Sequence, residues 1–186
     1  MSVRIFPPSD EKRDGFEFDL DKFMGTWYVT HSTLPLWKDK KDVSITYTPL
    51  SDVESPQGTI KFDDLVKYYP ASAKPGSAPS TVAGTDHTLA VGSFKWRGNG
   101  LLFIASSKWQ VLGCNTSEAE GSHPWAATFF EKTLFTPAGL DILTRSAEGI
   151  PEPLLKEIFE KIKAVGGDVA DLSETFFEVK RTKATP

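Results

Sequence analysis

Phe18-Asp19-Leu20-Asp21-Lys22-Phe23-Met24-Gly25-Thr26-Trp27-Tyr28-Val29-Thr30 decides how the rest of the chain is read. Asp19 or Asp21 suits the cap of a short helical turn running to Met24, because a carboxylate there accepts from the free N–H groups of a helix start. From Gly25 to Thr33 the pattern becomes that of a strand, whose successive side chains face opposite sides. Trp27, Val29 and His31 then share one face, with Tyr28 and Thr30 on the other. A second stretch answers the first: Gly139-Leu140-Asp141-Ile142-Leu143-Thr144-Arg145-Ser146 reads as a strand ending on an arginine.

Short strands fill the interval. Val43 to Thr48 carries Val43, Ile45 and Tyr47 in phase, and a strand from Thr59 carries Ile60 and Phe62 in phase and runs on toward Tyr69. Further strands are read at Thr81 to Leu89, Ser93 to Arg97, Lys108 to Gly113 and Trp125 to about Thr133. Residues 69–80, rich in Pro and Ser, form a loop. Gly98-Asn99-Gly100 is a tight turn or a bulge, so Leu101 to Ala105 is either a new strand or the second half of the preceding one. Eight or nine strands at this spacing predict a barrel or a sandwich.

A helix begins near Pro151, with Leu154, Leu155, Ile158, Phe159, Ile162 and Val165 at helical spacing and Gly166-Gly167 as its stop. A last strand follows at residues 174–180. Residues 1–186 are read as a single domain, with an arm at 1–15, barrel strands within 25–145 and the helix at 151–165.

The net charge of −4 argues against nucleic acid or an anionic membrane as the main partner. Cys114 is the only cysteine, so no intrachain disulfide can form. No stretch has the apolar length of a signal peptide or a membrane span. These features predict a cytoplasmic protein, expected to be a monomer.

By these residues the chain resembles the lipocalins of the calycin superfamily. Gly25-Thr26-Trp27-Tyr28 after a short helix matches the first signature of that family, and Asp141 to Ser146 leading into the helix resembles the third. The continuation through Val165 and Leu172 is similar to the bacterial and apolipoprotein D-like branch. A short aspartate-aromatic motif is missing between Asn115 and Pro124. The lack of disulfides points to an intracellular variant. The resemblance implies an all-β chain with one C-terminal helix, folded as an eight-stranded antiparallel up-and-down β-barrel. It also implies one deep apolar cavity, and structural roles for Gly25, Trp27 and Arg145 at the closed end.

Strand parity and the resemblance together suggest which side chains line that cavity: Val29, His31, Ile45, Tyr47, Ile60, Phe62, Phe94, Trp96, Thr128, Phe130, Asp141 and Leu143. At Lys108 to Gly113 two phases stay open, with either Lys108 and Gln110 or Trp109 and Val111 facing in. The expected function is binding of a small hydrophobic molecule such as a lipid, a polyene or a secondary metabolite. Entry is expected past Leu34, Leu36 and Trp37, with His31 and Tyr47 orienting the ligand. The alternative is a cofactor-independent isomerase or cyclase on an apolar substrate, with His31 or Asp141 moving a proton. A protein-interaction module with a filled barrel is a third reading.

No metal or cofactor is expected. His31, His87 and His123 are far apart and lack metal-site spacing. No serine sits in a nucleophile elbow, and no helix follows Gly98-Asn99-Gly100 to make a phosphate loop.

Overall fold

The computed structural model describes residues 2–9, 13–50, 59–146 and 148–182. Its elements are α1 (Leu20–Phe23), β1 (Gly25–Ser32), β2 (Lys40–Pro49), β3 (Lys61–Pro70), β4 (Ser80–Ala90), β5 (Ser93–Gly98), β6 (Ser106–Asn115), β7 (Trp125–Phe130), β8 (Gly139–Thr144), α2 (Glu152–Lys163), α3 (Gly167–Ser173) and β9 (Phe177–Glu178). From β2 to β8 each strand pairs antiparallel with the next, and β8 pairs with β1. Gly25 to Tyr28 of β1 pair in turn with Tyr47 to Ser44 of β2, which closes the barrel at eight strands. Closure leaves no long strand edge open.

β9 is two residues long, shorter than the predicted 174–180, because the chain turns after α3, with the Thr175 and Phe176 N–H groups donating to the Leu172 and Ser173 carbonyls. It pairs with His31 and Ser32 of β1. The Val179 N–H donates to the Thr30 carbonyl, and the Asp42 N–H to the Lys180 carbonyl. The C-terminal segment thus fills the gap where β1 parts from β2. Leu101 to Ala105 is neither of the strands considered: Gly100–Leu102 forms a 3-10 turn that joins β5 to β6.

Alternation sorts the apolar residues into two clusters. One fills the barrel and includes Trp27, Val29, Ile45, Tyr47, Phe62, Phe94, Trp109 and Leu143. The other lies outside the wall, where Ile158 and Ile162 of α2 and Val169 of α3 cover Leu112, Trp125, Ala127, Leu140 and Ile142. The N-terminal arm is tied down along β6. Phe6 N–H donates to the Leu112 carbonyl, Ser9 N–H to the Gln110 side chain, and Val3 N–H to Glu157 on α2.

Up-and-down order places α1, the β4–β5 turn and the β6–β7 connection at one end. The β1–β2, β3–β4, β5–β6 and β7–β8 connections lie at the other. The first end is closed by α1, and the second is the barrel mouth.

Candidate functional site

The closed end is built on Trp27 and Arg145. The Arg145 guanidinium lies over the Trp27 indole at 3.9 Å from the ring centroid. It donates to the carbonyls of Thr26 at 2.8 Å, Lys22 at 3.0 Å, Phe23 at 2.9 Å and Met24 at 2.5 Å. Three of these are carbonyls at or near the end of α1, where a cation is favoured because the last carbonyls of a helix lack partners. Trp27 Nε1–H also donates to the Phe23 carbonyl at 2.8 Å. Gly25 has φ +95°, and a Cβ there would come within 3.1 Å of the Arg145 guanidinium. Glycine meets both demands.

Above this plug the barrel is filled with rings. Phe23, Tyr47 and Trp109 stack in succession, and Phe94 lies 4.5 Å from Trp109 and 5.3 Å from Phe62 between centroids. All five are essentially buried. The deep cavity implied by the resemblance is therefore occupied at its lower end by the protein's own aromatic side chains. An eight-stranded barrel is only just wide enough for side chains to fill, and rings of this size fill it. Gly84 makes room in the wall: a Cβ there would stand 2.1 Å from Trp96 Nε1.

Carboxyl groups are set among these rings. Asp86 Oδ1 accepts from Trp109 Nε1–H at 2.7 Å. Asp86 Oδ2 and Asp64 Oδ1 are buried with no donor facing them. Burial first, then the Asp86 charge, raises the Asp64 pKa well above the carboxylate range. Burial raises Asp86 to about 7, against the pull of hydrogen bonds from Trp109 and Asp64. One proton on Asp64, donated to Asp86, satisfies both groups. Asp141 is fully buried and stands at about 7 for the same first reason. It accepts from Ser32 Oγ at 2.5 Å and from Trp37 Nε1 at 3.4 Å. Burial, and then the charges of these three aspartates, holds the Tyr47 hydroxyl well above its usual pKa, so it stays protonated.

At the mouth the interior becomes half-buried. Val66, Tyr68, Trp96 and Phe130 line it, packed on the ring cluster below. Trp37 closes over them from the 3-10 turn Pro35–Trp37. Its indole meets Tyr68 edge-on at 6.2 Å and holds Asp141 by the single long hydrogen bond.

Of the residues expected to face inward, Val29, Ile45, Tyr47, Phe62, Phe94, Trp96, Phe130 and Leu143 belong to the interior cluster. Thr128 pairs with Asp141 across β7 and β8, and both are buried. His31 does not face in. The β1–β8 register shifts between Val29 and His31, and this bulge turns His31 outward. Its ring lies edge-on to Phe159 of α2 at 5.4 Å. Burial there lowers its pKa, partly offset by Glu178. Ser32 takes the inward place instead. Ile60 is also outside the interior: it precedes β3, is 52% exposed and bonds Thr88 at the closed-end rim. On β6 the inward phase is that of Trp109 and Val111, while Lys108 is exposed and Gln110 is engaged by the N-terminal arm.

Asp64 and Asp86 were not among the expected site residues. Parity from Phe62 signals Asp64. Thr81 to Thr88 offers little apolar phase from which to place Asp86. Among the described residues, no group of three His, Cys, Asp or Glu side chains is placed to hold a metal ion. Nor is any described helix long and apolar enough to cross a membrane. Burial pushes the Cys114 thiol up to about 11, which leaves it unreactive. Cavities of about 680, 360 and 900 Å³ lie on the outer surface, around the arm, the β4–β5 turn and α1.

No family model matches the chain, and no curated protein matches it. Its fold is similar to solved structures of crustacyanin apoproteins. Apocrustacyanin C1 aligns at TM-score 0.58 and 13% identity over 90% of this chain and 82% of that one. Apocrustacyanin C2 aligns at 0.57 and 14% over 88% and 80%. Apocrustacyanin A1 of lobster aligns at 0.55 and 14% over 88% and 79%. At these identities the likeness is one of fold: a closed eight-stranded up-and-down barrel with a C-terminal helix.

Proposed function

We propose that this chain is a lipocalin-type binder of a small hydrophobic molecule, taken into the upper part of the barrel through its mouth. The observation that carries this reading is the mouth itself. Half-buried Tyr68, Trp96 and Phe130 line it beneath a tryptophan lid held by one 3.4 Å hydrogen bond. Swinging Trp37 aside breaks that bond and its contact with Tyr68, and the ligand takes the indole's place above Tyr47 and Trp109. Apolar burial at about 25 cal/mol per Å² then drives binding, and the Asp141 carboxyl, released from Trp37, orients a polar end of the ligand. The fold shared with the apocrustacyanins supports this reading.

The continuation of the chain through Leu172 supports a place near the apolipoprotein D-like branch. The single cysteine supports a cytoplasmic variant, which we take to be a monomer.

Fluorescence titration with the neutral probe N-phenyl-1-naphthylamine tests the proposal. Saturation at one probe per chain, weakened about tenfold by Trp96→Ala or Phe130→Ala, is the expected result. Probe emission that never saturates, or that ignores both substitutions, would contradict it.

A second reading, a cofactor-independent isomerase or cyclase, is favoured by carboxyls poised near neutrality at Asp86 and Asp141. His31 drops out of it, being outside the barrel. Asp141→Asn separates the two: a carrier loses affinity modestly, whereas an enzyme keeps binding and loses turnover.

A further inference from the structure

We infer that the barrel mouth docks onto an anionic lipid surface. Ten large apolar side chains stand exposed among the described residues. Seven of them lie on three mouth connections: Leu36, then Leu101 to Ile104, then Leu134 and Phe135. The last two groups belong to neighbouring hairpins. Leu101 is 98% exposed and Leu134 is 91% exposed. A soluble surface rarely leaves such a run of apolar tips together without a partner.

Much of the backbone beneath the tips is already hydrogen-bonded, which helps them leave water. In the β5–β6 connection, Leu102 N–H donates to Asn99, Phe103 N–H to Gly100, Ala105 N–H to Leu102 and Gly98 N–H to Ala105 carbonyls. In the β7–β8 connection, Thr133 N–H donates to the Thr136 carbonyl, and Thr133 Oγ1 accepts from the N–H groups of Phe135 and Thr136. An unpaired amide would oppose entry into the headgroup and acyl boundary, and these turns leave few.

Charge names the partner. Lys38, Lys40, Lys41, Lys74, Lys108 and Lys132 stand on or beside the mouth connections, against Asp39, Asp42 and Glu131. The closed end carries Glu17, Asp19, Asp21, Glu118 and Glu120, all exposed, against Lys22, Lys61 and the half-buried Arg145. A chain of net charge −4 is thus polarised, with its basic end around the apolar tips. An anionic bilayer attracts that end and repels the other, and lysines near such a surface each add to the attraction. The tips then enter the interface in the manner of a monotopic anchor. The acidic closed end of a second copy would also suit the basic mouth, and dimerisation without vesicles is the outcome that tells it from a bilayer. Docking this way holds the mouth against the phase in which an apolar ligand dissolves. Docking itself requires no ligand in the barrel.

Co-sedimentation of the full chain with vesicles tests the inference. Vesicles of phosphatidylcholine with about one-third phosphatidylserine should retain the protein, and vesicles of phosphatidylcholine alone should retain it at least tenfold less. Raising salt from about 0.1 to about 0.5 M should release most of it. Phe103→Ser/Ile104→Ser and Leu134→Ser/Phe135→Ser should each cut retention about tenfold. Both leave probe titration in the barrel unchanged, so loss of docking is distinguished from loss of ligand binding. Leu89→Ser/Val91→Ser, at the closed end, should have no effect. No retention on the anionic vesicles overturns the inference. So does retention that ignores the mouth substitutions, or concentration-dependent dimerisation that those substitutions abolish in the absence of vesicles.

Discussion

Raising the pH from about 5 to about 8 should destabilise this protein, because carboxyls inside the barrel hold protons that the unfolded chain would release. Asp141 shows the size of the effect. It is fully buried, and its pKa rises from the usual 3.8 to about 7. The folded state therefore keeps a proton that the unfolded state loses near pH 4. Unfolding releases that proton across the window between the two values, so stability falls as pH climbs through it. Between pH 5 and 8 about two pH units of that window are crossed, which corresponds to about 3 kcal/mol, a large share of the 5–15 kcal/mol typical of a domain. Asp64 and Asp86 are raised by burial as well, and they act in the same direction. His31 opposes them. Its pKa is lowered by burial, so its contribution is present above its unfolded value and is lost as pH falls below it. It is one half-buried imidazole against three buried carboxyls, and the net slope stays negative.

Urea unfolding followed by tryptophan emission at the two pH values measures the difference. Asp141→Asn keeps an acceptor for Ser32 and Trp37 and carries no charge, so it should reduce the pH dependence between these two values by about 3 kcal/mol. A native protein equally stable or more stable at the higher pH would refute the electrostatic account. An Asp141→Asn variant with the native slope would refute the assignment to Asp141.

Two other substitutions test the packing. Arg145→Ala removes the cation over Trp27 and takes its donor from four carbonyls, of which Phe23 keeps the Trp27 indole N–H. It should cost about 2–4 kcal/mol, seen as a drop in Tm of roughly 5–15 °C; a smaller change would mean that water replaces the guanidinium freely. Gly84→Ala puts a methyl group into the space of the Trp96 indole. It should cost about 1–3 kcal/mol and shift tryptophan emission to the red, while unchanged emission would show that the wall yields around the ring.

The strands were legible in the sequence because the inner residues are large and regularly spaced, while their up-and-down order came from the resemblance. Trp27 on one side and Arg145 on the other mark the two strands that close the barrel, and their alternation places Val29 and Leu143 in the same interior. Parity failed at His31 because a bulge adds a residue without any chemical mark: Thr30 is neither glycine nor proline. The stretch Leu101 to Ile104 misled for another reason. Its apolar residues suggest a strand, but they belong to a turn whose side chains face water. The carboxyl pair was hidden because burial of an aspartate depends on what packs around it. Asp63 and Asp64 are adjacent, and only the phase set by Phe62 tells them apart. Nor does strand parity measure how much of a barrel its own rings fill, which decides where a ligand can sit.

The central claim, that the mouth of this barrel takes up a small hydrophobic molecule, is tested most directly by native mass spectrometry of protein purified from its own source, with extraction of what it carries. The account predicts one apolar compound at one per chain, released by Trp96→Ala or Phe130→Ala. An empty chain that also leaves its tryptophans unquenched by a panel of lipophilic compounds would contradict it.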